Sequence, residues 1–124
     1  MPTRPLSPHL SVYKMSRYTL ATSIFNRFTG LLLSLGLLLL VYWLMAVAAG
    51  AAAFARAIHI LSLAPAKLVY TALIAAFCYH LVAGIRHLIW DTGHGLERAQ
   101  SRRSAGVVVL VSLVLTLLLA WFVW

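Results

Sequence analysis

The chain has 124 residues, of which 63% are hydrophobic and only 10% are charged, and its formal net charge is +8. Soluble domains have about 45–50% apolar and about 25% charged residues, so this composition excludes a water-soluble globular domain. It also leaves too little polar surface for a nucleic-acid-binding face. The single cysteine, Cys78, excludes an internal disulfide.

The first part of the chain is polar and contains several prolines and basic residues. It has no short apolar core followed by a cleavage pattern, which is unlike a signal peptide. Its prolines and its two arginines are also unlike a transit peptide. We predict that residues 1–22 form an N-terminal segment on the cytoplasmic side of a membrane.

Three apolar runs follow, and each is close to the roughly 20 residues that cross a hydrocarbon core of about 30 Å. Backbone polar groups in lipid must be satisfied within the segment, which favours helices over strands. The chain is therefore predicted to be an all-α membrane protein with transmembrane helices at 23–49, 65–90 and 105–124. Pro65 suits the first turn of the second helix, and Ser104 suits the N-cap of the third.

Two loops connect these helices, an outer loop at 50–64 and a cytoplasmic loop at 91–104. The small residues of the outer loop are compatible with a short interfacial helix. Eight basic residues lie before the first apolar run, which begins at about Gly30, or around the cytoplasmic loop, whereas only Arg56 and Lys67 flank the outer loop. The positive-inside rule then predicts a multi-pass protein of the cell inner membrane, with a cytoplasmic N-terminus and a periplasmic C-terminus.

One histidine lies deep in the second predicted helix. His80 precedes Asp91 at the inner interface by 11 residues, which corresponds to about 16 Å of helix rise. A histidine inside the membrane is costly, and such residues are usually functional. The alternative is a histidine that bonds to the backbone of a neighbouring helix.

The neighbours of His80 favour a bound cofactor. His80, Gly84, His87 and Asp91 share one helix stripe. Gly84 leaves space for a flat ligand, or else marks a helix-packing contact, while Arg86 and His87 are placed to meet anionic groups nearer the surface. This stripe suits haem b, with a neutral imidazole on the iron. The other two spans contain no histidine, so a second histidine ligand must come from another chain.

A second polar cluster precedes the first apolar run. Ser23, Arg27 and Gly30 fall on one helix face. A hydroxyl beside a cation at the inner edge of the hydrocarbon suits the polar head of a lipid-soluble ligand such as a quinone. The alternative is a capped helix start, with Arg27 extending to a lipid phosphate.

Three segments make a family resemblance specific, and they span residues 4–10, 23–30 and 79–91. In this order and spacing, the chain resembles the cytochrome b556 family of succinate dehydrogenase membrane anchors over residues 4–97. The resemblance implies a three-helix anchor in a haem-bridged bundle with a second hydrophobic anchor subunit. It also implies an iron-sulfur subunit and a flavoprotein subunit above the pair, in a bacterial complex.

The resemblance also implies residue roles. His80 corresponds to an axial ligand of the haem iron, with the other ligand supplied by the second anchor. Ser23 and Arg27 correspond to residues of the ubiquinone site. Arg27, Asn26 and His87 are expected near the haem propionates, although Asn26 stands where family members often have histidine and so carries no positive charge.

The implied reaction carries two electrons from succinate, through flavin and iron-sulfur centres, to ubiquinone. The chain has no nucleotide-binding motif and no cysteine set for an iron-sulfur cluster, so it is expected to act only within the complex. Two alternatives stay open at this point. One is a haem-free or fumarate-reducing anchor, and the other is a small transporter or channel subunit.

Overall fold

The fold is taken from a computed structural model that describes residues 17–124. Four helices follow one another in this part of the chain, and it contains no strand. They are α1 (Arg17–Ala48), α2 (Ala51–Leu61), α3 (Ala64–Asp91) and α4 (Arg98–Ala120). The segment at 4–10 that contributes to the family resemblance lies outside the described residues.

Helices α1, α3 and α4 are long and apolar enough to cross a membrane. The prediction of an all-α membrane protein with three such helices is therefore confirmed. Pro65 lies in the first turn of α3 as predicted. Ser104 is not an N-cap: α4 begins earlier, after Glu97, and the Ser104 hydroxyl donates to the carbonyl of Ser101 at 3.1 Å.

Helices α1 and α4 also extend beyond the apolar runs. The first turns of α1, from Arg17, and of α4, from Arg98, precede the predicted spans at 23 and 105. Hydropathy marks the part of a helix that suits lipid, whereas the helix itself continues wherever its backbone hydrogen bonds can form.

The short connections are held by glycines and aromatic residues. Gly50 joins α1 to α2 with a positive φ of 94°, which favours glycine. Phe54 of α2 then packs edge-on against Trp43 of α1, with the ring centroids 6.5 Å apart. Between α3 and α4, the Trp90 indole donates to the carbonyl of Gly95 at 3.1 Å.

Helix α3 lies between α1 and α4, and small residues let it approach α4 closely. Ala76, Cys78 and Ala83 of α3 are buried, as are Ala105 and Val108 of α4. Small residues at such contacts allow membrane helices to pack backbone to backbone. Many large hydrophobic side chains, by contrast, are exposed, and most of these are leucines and valines, which suits a surface that faces lipid or another apolar chain.

Candidate functional site

His80 packs against α1 rather than into open lipid. Its Nδ1 lies 3.1 Å from the carbonyl oxygen of Asn26 and 3.4 Å from Oγ1 of Thr29. The Thr29 hydroxyl already donates to the carbonyls of Phe25 and Asn26, at 2.8 and 3.0 Å. Both neighbours therefore face Nδ1 as acceptors.

This arrangement fixes the tautomer of the ring. A carbonyl oxygen can only accept a hydrogen bond, so the proton of the neutral ring lies on Nδ1 of His80. Nε2 then keeps its lone pair. A histidine that binds a metal commonly donates its other ring N–H to a backbone carbonyl in this way.

An open groove between α1 and α3 begins at His80. Its volume is about 630 Å³, within the roughly 300–1,000 Å³ of typical ligand pockets. The lining is almost entirely apolar, with Tyr70 and Ser34 as polar exceptions besides His80. The remaining lining residues are glycines, leucines, an isoleucine and a phenylalanine: Gly30, Leu33, Gly36, Leu37, Leu40, Leu73, Ile74 and Phe77.

Gly30 lets the His80 ring approach α1. A Cβ atom built on Gly30 would lie only 3.1 Å from Cε1 of His80, closer than ordinary van der Waals contact. Sequence reasoning assigned Gly30 to the face of Ser23 and Arg27. The structure adds that its missing side chain makes room for the imidazole.

Gly84 lies one turn further along α3 than His80, and the space beside it is empty. No atom of residues 17–124 comes within 4 Å of a Cβ built there, apart from the glycine's own chain neighbours and helix backbone. A helix-packing contact within this part of the chain therefore does not explain the glycine. A flat ligand, a helix of another chain or a lipid can lie in that space.

Two polar atoms near this stripe are buried without a partner. Oδ1 of Asn26 and Nδ1 of His87 form no hydrogen bond to any residue between Arg17 and Trp124. Buried polar groups are nearly always paired, and an unpaired one points to a missing ligand, water or partner. Both residues are among those predicted to lie near the haem propionates.

Ser23 and Arg27 lie on the same helical stripe of α1 as Gly30 and Ser34, which line the groove. Ser23 is half-buried and Arg27 is exposed. Neither side chain forms a hydrogen bond within the described part of the chain, so the structure does not join them to each other. Neither residue lines the groove itself, which begins one turn beyond Arg27 along α1, at Gly30.

Arg86 does not face this stripe, and its predicted contact with anionic groups near the surface is wrong. The residue is only 5% exposed. Its Nε donates to Oγ of Ser104 at 2.9 Å, and Nη1 donates to Oγ1 of Thr22 at 3.1 Å. Nη2 donates to the carbonyl of Ser101 at 2.8 Å and lies 3.3 Å from its Oγ.

Sequence reasoning missed this junction, which joins α1, α3 and α4. A signal was available in the spacing, because Ala76, Ala83 and Arg86 recur at seven and three residues on one face of α3. Two alanines on one face of a helix indicate close packing against a neighbouring helix, so Arg86 on the same face of α3 is expected to be buried in that contact. Tyr79 also contributes, since its hydroxyl donates to the carbonyl of Thr22 at 3.1 Å.

These observations fit a haem group. His80 has the tautomer of a metal ligand and borders a groove of suitable volume, and His87 carries an unpaired ring nitrogen. His80 would hold the iron, and the ring of His87 and the Nδ2 amide of Asn26 would donate to the carboxylates. The unpaired Oδ1 of Asn26 is an acceptor and would need a donor from another partner. Residues 17–124 contain no group of three or more histidine, cysteine, aspartate and glutamate side chains that could hold a metal ion.

Comparison with known proteins gives a consistent result. The family model of the succinate dehydrogenase/fumarate reductase transmembrane subunit matches residues 1–119. The chain is 40% identical over 115 residues to the succinate dehydrogenase cytochrome b556 subunit of Paracoccus denitrificans, covering 93% of this chain and 88% of that protein. It is 41% identical over 116 residues to the human mitochondrial cytochrome b560 subunit, covering 91% of this chain and 67% of that protein.

A third relative, the cytochrome b556 subunit of Rickettsia typhi, is 37% identical over 119 residues, covering 94% of this chain and 90% of that protein. The match thus extends over most of the chain in bacterial and mitochondrial relatives alike. It confirms the resemblance inferred from the three sequence segments. With its three membrane-crossing helices, the chain belongs to the succinate dehydrogenase/fumarate reductase transmembrane subunit family.

Proposed function

We propose that this chain is the haem b- and ubiquinone-binding anchor subunit of a succinate:ubiquinone oxidoreductase. It passes electrons from an iron-sulfur subunit to ubiquinone in the cell inner membrane. The observation that carries the proposal is the hydrogen bond from Nδ1 of His80 to the Asn26 carbonyl, at 3.1 Å. It leaves Nε2 of the neutral ring unprotonated beside an apolar groove, where it would be able to bind the iron of a haem.

The residues of this chain would hold and tune the haem. A haem supplies one-electron redox chemistry when it is bound. The Asn26 carbonyl orients the His80 ring by accepting a hydrogen bond from Nδ1–H, and this bond raises the basicity of Nε2. The Asn26 amide donates a neutral hydrogen bond in place of the charged one that a histidine would provide.

Ser23 and Arg27 are the residues proposed to bind ubiquinone. A quinone head carries two carbonyl oxygens, which need hydrogen-bond donors in a site that excludes water. The Ser23 hydroxyl supplies one such donor, and the Arg27 guanidinium supplies donors together with a positive charge. That charge stabilises the negative charge that develops on the quinone head as electrons arrive.

The proposed orientation brings this site to the soluble partners. With the N-terminus in the cytoplasm, Ser23 and Arg27 lie on the side where an iron-sulfur subunit and a flavoprotein subunit would dock. The open groove at His80 would face a second hydrophobic anchor subunit, which supplies the other haem ligand. Lipid covers the remaining apolar surface.

The polar side chains within the spans speak against a channel or transporter. Ser34, Ser112 and Thr116 each donate a hydrogen bond to a carbonyl of their own helix, at 3.0, 2.6 and 2.7 Å. Their donors are therefore used within their own helices, and three hydroxyls are few for a polar path across the bilayer. The proposed function therefore uses the polar residues at the inner end of the bundle.

The decisive experiment compares His80→Ala with His59→Ala in the purified complex. His59 is an exposed histidine of α2 and serves as the matched control. We expect the His80 variant to lose or grossly alter the b-type haem band of the reduced-minus-oxidised spectrum while the subunits still assemble. The His59 variant should keep the wild-type spectrum.

Two results would contradict the proposal. An assembled His80→Ala complex with an unchanged haem spectrum would remove the ligand assignment. A wild-type complex that contains the flavoprotein but no haem would identify a haem-free anchor. Mass spectrometry of the detergent-solubilised complex, run in parallel, establishes which subunits are present in each sample.

A further inference from the structure

Arg86 is a buried cation for which no carboxylate of residues 17–124 forms an ion pair. Such a residue is costly to bury and is retained where its hydrogen bonds fix a geometry. We propose that Arg86 is a positioning residue, which sets the register of α1 against α3 and thereby the orientation of the His80 ring. This inference rests on the proposed function, because it assigns Arg86 to the haem ligand.

Thr22 connects Arg86 to the part of α1 that contacts His80. Nη1 of Arg86 donates to Oγ1 of Thr22 at 3.1 Å. Thr22 lies one helical turn before Asn26, on the same face of α1. Because α1 is continuous between the two residues, holding Thr22 in place also holds the Asn26 carbonyl, which accepts the Nδ1 proton of His80 at 3.1 Å.

Hydrogen bonds to α4 hold the Arg86 guanidinium in place. Nε and Nη2 donate to Ser104 and Ser101 of α4, at 2.9 and 2.8 Å. Ser101 also lies 3.2 Å from Oγ1 of Thr19, through its own hydroxyl. The planar guanidinium of Arg86 thus joins three helices, and its contact with α1 at Thr22 is supported by the contact between Ser101 and Thr19.

Arg86 also contacts His87 indirectly, through the Trp90 ring. The Arg86 guanidinium lies over the Trp90 ring, 4.0 Å from its centroid. The same indole stacks on the ring of His87, with the centroids 5.4 Å apart and the planes 23° apart. Arg86 therefore supports His80 through Thr22 and Asn26, and His87 through Trp90.

The planar arrangement of its guanidinium donors distinguishes Arg86 from a residue that contributes only a positive charge. A lysine keeps the positive charge, but its ammonium cannot donate to three acceptors in one plane or stack on the indole as a guanidinium does. We therefore expect Arg86→Lys to behave like Arg86→Gln rather than like the wild type. A role through charge alone predicts the opposite.

The test uses the purified, assembled complex with Arg86→Lys, Arg86→Gln and Thr22→Val. Arg103→Gln is the control, since Arg103 is an exposed arginine of α4 at the same end of the bundle. The readouts are the haem content per flavin, the electron paramagnetic resonance of the ferric haem and its reduction potential. The resonance reports the orientation of the axial ligands, which a loss of stability alone would not change in the complexes that remain.

We expect both Arg86 variants to shift the resonance and the reduction potential of the haem that is retained, with no rescue by lysine. Thr22→Val should give a smaller shift of the same kind, because it removes only the hydrogen bond between Arg86 and Thr22 and leaves the complex intact. Arg103→Gln should leave all three readouts at their wild-type values.

The proposal and the proposed function fail in different ways. A wild-type resonance and potential in assembled Arg86→Gln and Thr22→Val complexes would overturn the positioning role while leaving the haem assignment in place. Rescue by Arg86→Lys would also overturn it, in favour of charge. If the Arg86 variants do not assemble, Thr22→Val decides, and a wild-type complex without haem would overturn both ideas together.

Discussion

The two halves of the helix bundle are held together in different ways. In the proposed orientation, the half that contains His80 and Arg86 is the inner half, and the half that contains α2 is the outer half. In the inner half, side chains bond from one helix to another, as in the contacts of Arg86 with Thr22 and of His80 with Asn26. In the outer half, hydroxyls such as Ser62 donate to their own helix, and the hydrogen bond from Trp124 to Thr71 that joins two parts of the chain there is exposed. Leucines line the groove there, which continues beyond Gly36 as a second cavity of about 520 Å³ beside α2.

This difference separates the geometry that the chain sets for itself from the geometry that it leaves to its surroundings. Hydrogen bonds are directional, so the inner half fixes distances and ring orientations. Apolar contacts are not directional, so the outer half can accept lipid or another apolar helix. Substitutions in the inner half should therefore change a cofactor signature, whereas those in the outer half should change stability slightly.

The largest expected effect is that of Gly30→Val. A Cβ there would already lie 3.1 Å from the His80 ring, and valine adds two further carbons that push the ring from α1. We expect the haem content of the assembled complex to fall to a small fraction of the wild type, measured from the pyridine haemochrome spectrum. Gly106→Val is the matched control, because a Cβ at Gly106 meets no atom of residues 17–124 beyond its own helix backbone within 4 Å. A wild-type haem content in the Gly30 variant would contradict the close packing of His80.

Arg27→Leu should have the next largest effect, on the turnover of ubiquinone. A hydrogen bond to a charged group contributes about 1.5–3 kcal/mol, which corresponds to roughly 10- to 100-fold in rate or affinity. Ser23→Ala should cost less, since a neutral hydrogen bond contributes about 0.5–1.5 kcal/mol. Succinate oxidation by a soluble artificial acceptor and the haem spectrum should both be retained.

Arg103→Leu provides the control for the loss of a positive charge at the inner end, because this side chain is exposed. If Arg27→Leu assembles and reduces ubiquinone at the wild-type rate and apparent affinity, this face is not the quinone site. Contact of Arg27 with a lipid phosphate would then account for the residue.

Gly84→Ala tests whether the space beside α3 in the inner half holds the cofactor. The new methyl group meets nothing in residues 17–124 beyond its own helix backbone. Alanine favours a helix over glycine by about 0.8–1 kcal/mol, so the chain itself should not be destabilised. We nevertheless expect a moderate loss of haem, measured as haem per flavin, since the methyl group occupies space proposed for the cofactor. The same substitution at Gly106 should leave this ratio unchanged, and an unchanged ratio in both variants would assign the space beside Gly84 to lipid.

Thr71→Val should give the smallest effect, in the outer half. It removes the hydroxyl that accepts from the Trp124 indole at 3.0 Å, in an exposed hydrogen bond between helix α3 and the end of the chain. The loss should be about 0.5–1 kcal/mol or less, because water can replace the acceptor. We expect the melting temperature to fall by a few degrees at most, with haem and turnover unchanged. A changed haem spectrum would show that the outer end also controls the site.

The parts of the fold that depend on composition could be predicted from the sequence. The need to satisfy the backbone in lipid determines that α1, α3 and α4 are helices. The periodicity of α-helices places Gly84 and His87 on the stripe of His80. The assignment of that stripe to a cofactor, and of Ser23 and Arg27 to a quinone, stays a prediction for the experiments above.

The contacts between helices could not be predicted in the same way. Hydropathy gives no rotation of one helix against another, so it did not reveal that Arg86 points to α4. A bond from His80 to the backbone of a neighbouring helix was the alternative raised from the sequence, and the structure shows that contact, but hydropathy could not identify Asn26 as the partner. The interpretation of Arg86 as a surface cation assumed that a charged side chain near a helix end reaches water. The hydroxyls of Thr22, Ser101 and Ser104 instead supply enough acceptors to bury it.

The burial of Cys78 bears on how the orientation of the chain can be measured. The side chain is only 1% exposed, so water-soluble maleimides should not reach its sulfur in the folded protein. A single cysteine introduced at exposed Arg103 or Arg56 would then be the only reactive thiol among residues 17–124. Labelling of intact cells and of inverted vesicles with a membrane-impermeant reagent would assign each loop to its compartment, with the native thiol left in place.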